Sequence, residues 1–410
     1  MADDLLVGLD IGTTKVSACI GEYDENDRLR IVGLGAAVSD GLRRGVVINI
    51  ESTLRAVLEA VENAEQMAGR EVDSVITAIA GGHIESLNSR GVVAVTGKEH
   101  EVSQKDVERV IEAAKAVVIP MDREVLHVIP QEFVVDDQGG VKNPVDMMGV
   151  RLEAEVHIIT GSVTAAQNLV KCVNRAGLRV DNLVLDSLAA SKAVLTKDEQ
   201  ELGVLFLDLG GGTTNLVVHA EGAPYFTSVL PVGGGQVTSD ISIMLKTPME
   251  SAERLKREAG CCFAPIVDDD EPVIIPGVGG RPPLSIQRRK LAEIIQPRMA
   301  EIFAMARDRV AKAGFMNRLG GGVVLTGGGA LLPGAVELAQ EVFKTAARVG
   351  RPGNLGGVAD QYQRPEYATV VGLLLFGEEL YGTVEGERGG REKGVGMFGA
   401  FTSWLRNFFE

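Results

Sequence analysis

The sequence is poor in cysteine and histidine, with four and five residues respectively, and it carries a single tryptophan. Cys19, Cys172, Cys261 and Cys262 form no C-x-x-C pair. Adjacent cysteines bridge poorly, so a disulfide framework is not expected and a reduced, cytoplasmic chain is. No H-E-x-x-H motif or Cys/His cluster occurs, which argues against a zinc site. Positive charge is in deficit: Lys+Arg total 41 against Asp+Glu 56, for a net charge of −15. Such a body does not wrap nucleic acid, and an anionic lipid surface repels it, so any membrane contact must come from a local feature. Apolar runs of about 18 residues are missing, so no bilayer-spanning helix is expected. Met1-Ala2-Asp3-Asp4 lacks the basic start of a signal peptide. The G-x-x-x-x-G-K-[ST] loop is absent, and in the glycine run that begins at Gly327 the residue Leu332 stands where a G-x-G-x-x-G motif needs its last glycine. Those absences remove the two commonest nucleotide folds.

What is present is a repeat. The 410 residues, 45% of them hydrophobic, allow two to four domains with full cores. An apolar strand from Leu5 ends at Asp10, turns through Gly12-Thr13-Thr14-Lys15 and returns from Val16 to Ile20. Half a chain later Val204 to Leu207 leads to Asp208, turns through Gly210-Gly211-Gly212-Thr213-Thr214, and returns through Asn215 and Leu216 to Val218. One aspartate at a strand end is a turn former; two in the same frame predict two related lobes facing across a cleft. Turns of Gly and Thr expose backbone N–H groups and hydroxyls as a phosphate nest. Lys15 can add a point charge, and Asp10 with Asp208 can hold a hydrated Mg2+. Two further bare-backbone stretches follow: Pro231-Val232-Gly233-Gly234-Gly235, and Gly327-Gly328-Gly329 after the strand Val323 to Thr326. Between them Thr247-Pro248-Met249-Glu250 predicts a helix capped by Thr247, with Glu253 and Lys256 on one face. That pair is either a surface ion pair of small value or a grip on a ribose and base.

These motifs resemble the actin-like ATPase superfamily and, within it, the FtsA family of bacterial cell-division proteins. The resemblance covers nearly the whole chain. It implies an α/β, two-lobed actin-like fold with duplicated lobes, ATP with Mg2+ as cofactors, and self-association into filaments. It further implies tethering of the FtsZ ring through the FtsZ C-terminal tail, at the cytoplasmic face of the inner membrane. Gly12, Thr13, Thr14 and Lys15 match the first phosphate loop, and Gly211, Gly212, Thr213, Thr214 and Asn215 the second. Gly234, Glu253 and Lys256 match positions around sugar and base, and Gly327, Gly328 and Gly329 the adenosine motif. Asp186 stands where hydrolysing relatives such as MreB place a glutamate that orients water. One methylene shorter, it implies at most slow ATP hydrolysis, or else it is simply a helix N-cap. Arg298 and Glu301 match the surface that receives the FtsZ tail, inside a basic run with Arg288, Arg289 and Lys290 that could equally be a solvated face.

The expected organisation is a first-lobe core at 1–85 with 162–193 and 361–381, an inserted α+β subdomain at 86–161, and a second-lobe core at 194–226 with 302–360. An outer subdomain at 227–301, a linker at 382–396 and a terminal helix at 397–410 complete it. Helical spacing over 50–68 puts Leu54, Val57, Leu58, Val61 and Ala64 inward. Ser103-x-x-Asp106 starts a helix that Pro120 ends, and Pro297 restarts another. The resemblance gives the insert to filament contacts and to later division proteins. In the terminal segment, Phe398, Phe401, Trp404, Leu405, Phe408 and Phe409 share one helical face. The segment is too short to span a bilayer and suits the interface. A pilus-assembly-type actin-like adaptor and a small-molecule kinase on the same fold are the alternatives. A kinase, however, has no use for an aromatic leash.

Overall fold

The computed structural model describes residues 5–268, 271–277, 282–353 and 355–381. The predicted linker and terminal helix therefore lie outside the described residues.

Two five-stranded sheets repeat one plan. In the first lobe the order is Arg179–Leu185, Ser74–Ile79, Leu5–Ile11, Lys15–Tyr23, Leu29–Val38. In the second it is Ala347–Val349, Val323–Thr326, Val204–Leu209, Thr214–Ala220, Ala223–Leu230. In both, the central strand is antiparallel to the next in sequence and parallel to its neighbour on the other side. Duplication is thus visible in topology as well as in motif.

Helix Ile50–Ala68 packs on the first sheet, started by the Asn49 side chain and stopped by left-handed Gly69. Val57, Val61 and Ala64 face inward as the spacing requires, but Leu58 is exposed, because Thr53, Ala56 and Ala60 fill the inner stripe. The insert folds around its own core. Strands Glu85–Ala94, Arg151–Ser162, Arg123–Val135 and Gln138–Val141 form a sheet in that order. Helix Gln104–Lys115 begins with the expected Ser103/Asp106 capping box and ends before Pro120 is reached. Strand Arg151–Ser162 is central in that sheet and buried on both faces, so it does not alternate as a half-buried strand does.

Two other starts differ from expectation. Helix Met249–Ala259 takes Pro248 at its N-cap position, and the Thr247 hydroxyl is buried without a partner rather than capping. Around Pro297 a single helix runs from Arg288 to Lys312 with the proline inside it. The missing N–H there costs one helical bond, and the buried face of Leu291, Ile295, Met299, Ile302 and Phe303 holds the helix together. This helix crosses the expected 301/302 boundary.

Helices Asp186–Val194 and Ala368–Tyr381 cross between the lobes. A Cβ on Gly372 would lie 1.8 Å from the Ala189 carbonyl oxygen, so only glycine permits this approach. Leu185, Leu188 and Val194 join Phe206, Val217, Val324, Val370 and Leu374 in one apolar cluster under both sheets. That cluster is the floor of the cleft.

Candidate functional site

The two turns are built alike. Gly12 N–H donates to Lys15 O and Gly210 N–H to Thr213 O, each at 3.0 Å. Asp10 lies opposite Ser17 and Asp208 opposite Asn215 in the strand registers. Structure therefore aligns Thr13 with Gly211, Thr14 with Gly212 and Lys15 with Thr213. The sequence frame that set Thr13-Thr14 beside Thr213-Thr214 is displaced, because register follows strand pairing rather than residue identity. The turns also touch. A Cβ on Gly211 would meet Thr14 Cγ2 at 2.5 Å, and one on Gly212 would meet Thr13 Oγ1 at 2.7 Å. Thr13 Oγ1 accepts from Gly45 N–H, and Thr214 Oγ1 donates to Val232 O.

The glycine stretch 233–235 lies on the second turn. Gly234 N–H donates to Gly210 O at 2.9 Å and Gly235 N–H to Gly211 O at 2.7 Å. Helix Gly234–Leu245 starts here, so its partially positive end looks at the turn. Lys256 Nζ donates to Gly234 O, Thr238 Oγ1 and Glu253 Oε2 at 3.1, 2.8 and 2.6 Å. Glu253 and Lys256 are therefore more than a loose surface pair: with Thr238 they form a half-buried network against the glycine backbone. The strand Val323–Thr326 runs beside Val204–Leu209 and brings the third glycine run to Asp208. Gly327 has φ +77°, and a Cβ there would lie 2.2 Å from Asp208 Oδ1. Gly328 by contrast has nothing within 4 Å of where its Cβ would be.

Sequence reading missed residues 365–367. Lys15 Nζ donates to Glu366 O at 2.9 Å and sits 3.7 Å from the Tyr367 ring centroid. Pro365 O accepts from Thr326 Oγ1 and Gly327 N–H, each at 3.2 Å. No local pattern marks this segment, because its partners lie far off in the chain, 39 residues away at Thr326 and 351 at Lys15.

Three carboxylates meet on the cleft floor. Asp186 is the first residue of its helix, after Leu185 at the N-cap position, so it is not the cap. Its Oδ1 accepts from Ser187 N–H, and its Oδ2 takes a short hydrogen bond from Asn215 Nδ2. Burial lifts Asp186 well above the carboxylate range, and Asp208 and Asp10 add repulsion. Burial and then Asp10 push Asp208 up to about 7. Burial raises Asp10 to about 6 against the pull of Lys15. Burial also lowers Lys15 to about 8, opposed by Asp10 and Glu366. Asp10 and Asp208 thus share one weakened cation, and Asp186 adds a third acid beside them. Ser17 Oγ and Asn215 Oδ1 are buried near them without a protein partner. Acids whose ionisation burial penalises, together with orphaned polar oxygens, fit a hydrated divalent cation that would take the place of their protons. Among the described residues no group of three or more His, Cys, Asp or Glu side chains converges tightly enough to chelate one directly.

Arg298 and Glu301 lie outside the cleft, on helix Arg288–Lys312. Arg298 grips Asp240 of helix Gly234–Leu245 through Nε at 2.7 Å and Nη2 at 3.2 Å, and it also pairs with Glu301. The basic run is largely engaged: Arg288 with Glu271, Arg289 with Val267 O, Lys290 with Glu293. Phe398, Phe401, Trp404, Leu405, Phe408 and Phe409 lie outside the described residues. No helix among the described residues is long and apolar enough to cross a membrane.

Residues 205–372 match the family "Cell division protein FtsA", and residues 81–160 match "SHS2 domain inserted in FTSA". A "Cell division protein FtsA" of Borreliella burgdorferi is 49% identical over 380 residues, which is 92% of each chain. That of Escherichia coli (strain K12) is 43% identical over 414 residues, covering 99% of this chain and 98% of that one. Among solved structures, the "PilM-PilN type IV pilus biogenesis complex" aligns with TM-score 0.66 at 18% identity, over 91% of this chain and 98% of that one. The ADP-bound MreB5 of Spiroplasma citri aligns with TM-score 0.55 at 12% identity, over 94% of this chain and all (100%) of that one. The last two establish the fold alone, that of the actin-like ATPases. Matched over nearly its full length by the curated relatives and at its insert by the inserted-domain family, the chain belongs to the FtsA family of cell-division proteins.

Proposed function

We propose that the chain binds ATP with Mg2+ in the cleft, assembles with copies of itself, and tethers the FtsZ ring to the inner face of the cytoplasmic membrane while helping recruit later division proteins. The observation that carries the nucleotide part is the pair of opposed glycine turns above a carboxylate cluster short of positive charge. Gly12–Lys15 and Gly211–Asn215 would hold phosphates. Gly234, Glu253, Lys256 and Gly327–Gly329 would surround sugar and base. Asp10 and Asp208 would hold Mg2+ through water, and the ion would supply the charge that phosphates and carboxylates both need. Asp186, drawn back toward Asn215, supports slow hydrolysis at most. The fold likeness to ADP-bound MreB5 supports a nucleotide in this place. The PilM likeness keeps a pilus-type adaptor as the second reading, and the aromatic face at 397–410 favours the membrane tether.

The test is co-sedimentation of the full chain with lipid vesicles and FtsZ, with and without ATP. Loss of FtsZ from the vesicle pellet in both conditions would overturn the tether. Phe401→Glu with Trp404→Glu is expected to lower vesicle binding about a hundredfold, because burial of the two rings contributes several kcal/mol. Retention on vesicles would remove this role from the terminal segment. Arg298→Glu is expected to weaken binding of an FtsZ-tail peptide at least about tenfold. The same change sets three acids together at Asp240 and Glu301, so the control is Asp240→Ala, which frees Arg298 without reversing its charge. Equal peptide affinity in Arg298→Glu and the parent chain would refute the assignment.

A further inference from the structure

The inserted subdomain belongs by chain continuity to the first lobe, yet it also meets the second. Strand Ala223–Leu230 is the edge of the second-lobe sheet, paired with Thr214–Ala220 on one side only. Edges of this kind must be covered. Here they are covered by side chains of the insert rather than by another strand. Ser86 Oγ donates to Thr227 O at 2.9 Å, Asn88 Nδ2 to Tyr225 O at 3.1 Å and Gln131 Nε2 to Pro224 O at 3.0 Å. Lys142 Nζ donates to Glu221 O. Every donor is an insert side chain and every acceptor a second-lobe carbonyl. His157 locks the row from behind. Its Nδ1 is 2.6 Å from Asn88 Oδ1, and its Nε2 is 3.1 Å from Thr227 Oγ1. Asn88 already donates through its amide nitrogen, so His157 Nδ1 carries the proton and Nε2 accepts from the threonine. Gln131 and His157 are both 1% exposed, so the seam has a dry centre, while Asn88 and Lys142 form its exposed rim.

We propose that this seam is a tie across the cleft: the lobes part only when it breaks, so occupancy of the cleft and freedom of the insert are coupled. The proposal rests on the nucleotide reading for its ligand, but the tie itself is mechanical. A row of side-chain donors to backbone is well made in one relative position of the two bodies and lost when they shift by about an ångström or two. A nucleotide that holds the lobes together keeps the insert docked. By reciprocity, a protein partner that draws the insert away from Ala223–Leu230 loosens the nucleotide by the same factor.

The test uses the full chain and Asn88→Ala with Gln131→Ala. Without nucleotide, amides of residues 12–15 and 210–214 are expected to exchange hydrogen at least about threefold faster in the variant, because one buried and one part-buried bond of the tie are gone. Equal exchange overturns the tie. With a fluorescent ATP analogue, release is expected about fivefold faster than from the parent chain. An unchanged release rate overturns the coupling. Ser86→Ala removes one rim bond and is the fallback should the double variant misfold, with smaller shifts of the same sign expected in both measurements. If the parent chain binds no ATP analogue, the nucleotide reading falls, and the nucleotide-free exchange still decides the seam.

Discussion

Gly327→Ala is expected to cripple the protein, while Gly328→Ala, one residue on, leaves the fold intact and weakens nucleotide binding alone. The two glycines differ in what a methyl would meet. At Gly327 the backbone has φ +77°, and a Cβ would lie 2.2 Å from Asp208 Oδ1 and 2.8 Å from Leu209 O. Left-handed backbone plus a clash with a buried carboxylate and a rigid strand costs about 3 kcal/mol or more. Relief would require moving the central strand of the second lobe. At Gly328 nothing lies within 4 Å, and φ is not in the left-handed region. An added methyl therefore costs the empty protein little, but on the reading above it enters the space of the adenosine. A bad overlap of about 1–3 kcal/mol lowers affinity about tenfold to a hundredfold. Thermal melting and ATP-analogue titration of both variants decide the matter. A Gly328→Ala protein with parental affinity places the nucleotide elsewhere.

Asp208→Asn is expected to stabilise the nucleotide-free protein and yet abolish its response to Mg2+-ATP. The carboxyl titrates near 3.8 in the unfolded chain, and burial with Asp10 beside it raises it to about 7 in the fold. Below the lower value both states hold the proton, and the folded state suffers nothing. As pH rises through this window the unfolded chain gives up the proton and the folded one keeps it, so stability falls until the folded carboxyl ionises. Asp10 adds a smaller loss of the same sign, ending at about 6. Lys15 acts in the alkaline range with the opposite slope. Lowered from 10.5 to about 8, it is deprotonated first in the fold, and stability rises with pH between those values. Melts of the parent chain near pH 5 and near pH 8 should differ by several degrees, and Asp208→Asn should remove only part of that difference, because the buried Asp186 and Asp10 are raised as well and keep their share. Mg2+-ATP should raise the parental melting point most near pH 8 and leave the variant nearly unmoved. A variant that melts lower than the parent near pH 8 would show that Asp208 holds the fold together instead of straining it.

The duplicated strands and turns were legible because each is local: an apolar strand ending in aspartate, then a glycine turn, needs no tertiary knowledge. So was the Ser103/Asp106 cap, whose partners are three residues apart. The register of the second turn was not, since Gly210 and Thr213 reveal their match to Gly12 and Lys15 only through strand pairing. Thr247 looked like a cap but lost that place to Pro248, an outcome settled by packing. The glycine at 372, the Lys15 contacts with Glu366 and Tyr367, and the Asp186–Asn215 bond were illegible for one reason. Each joins segments whose approach is decided by the whole fold, and neither residue type nor spacing betrays it.

The crossing at Gly372 has a mechanical consequence. Helix Ala368–Tyr381 seats Leu373 against Gly8 of the first sheet and Gly377 against Leu6 and Ile76, before the chain passes on toward residue 410. Its other flank rests on Ala189, three residues from Asp186. A load applied at Tyr381 along the helix axis would not peel a strand from either sheet one hydrogen bond at a time. It must shear a whole interlocked helix past the floor, breaking many contacts at once, and the first element to feel the strain is the helix that carries Asp186.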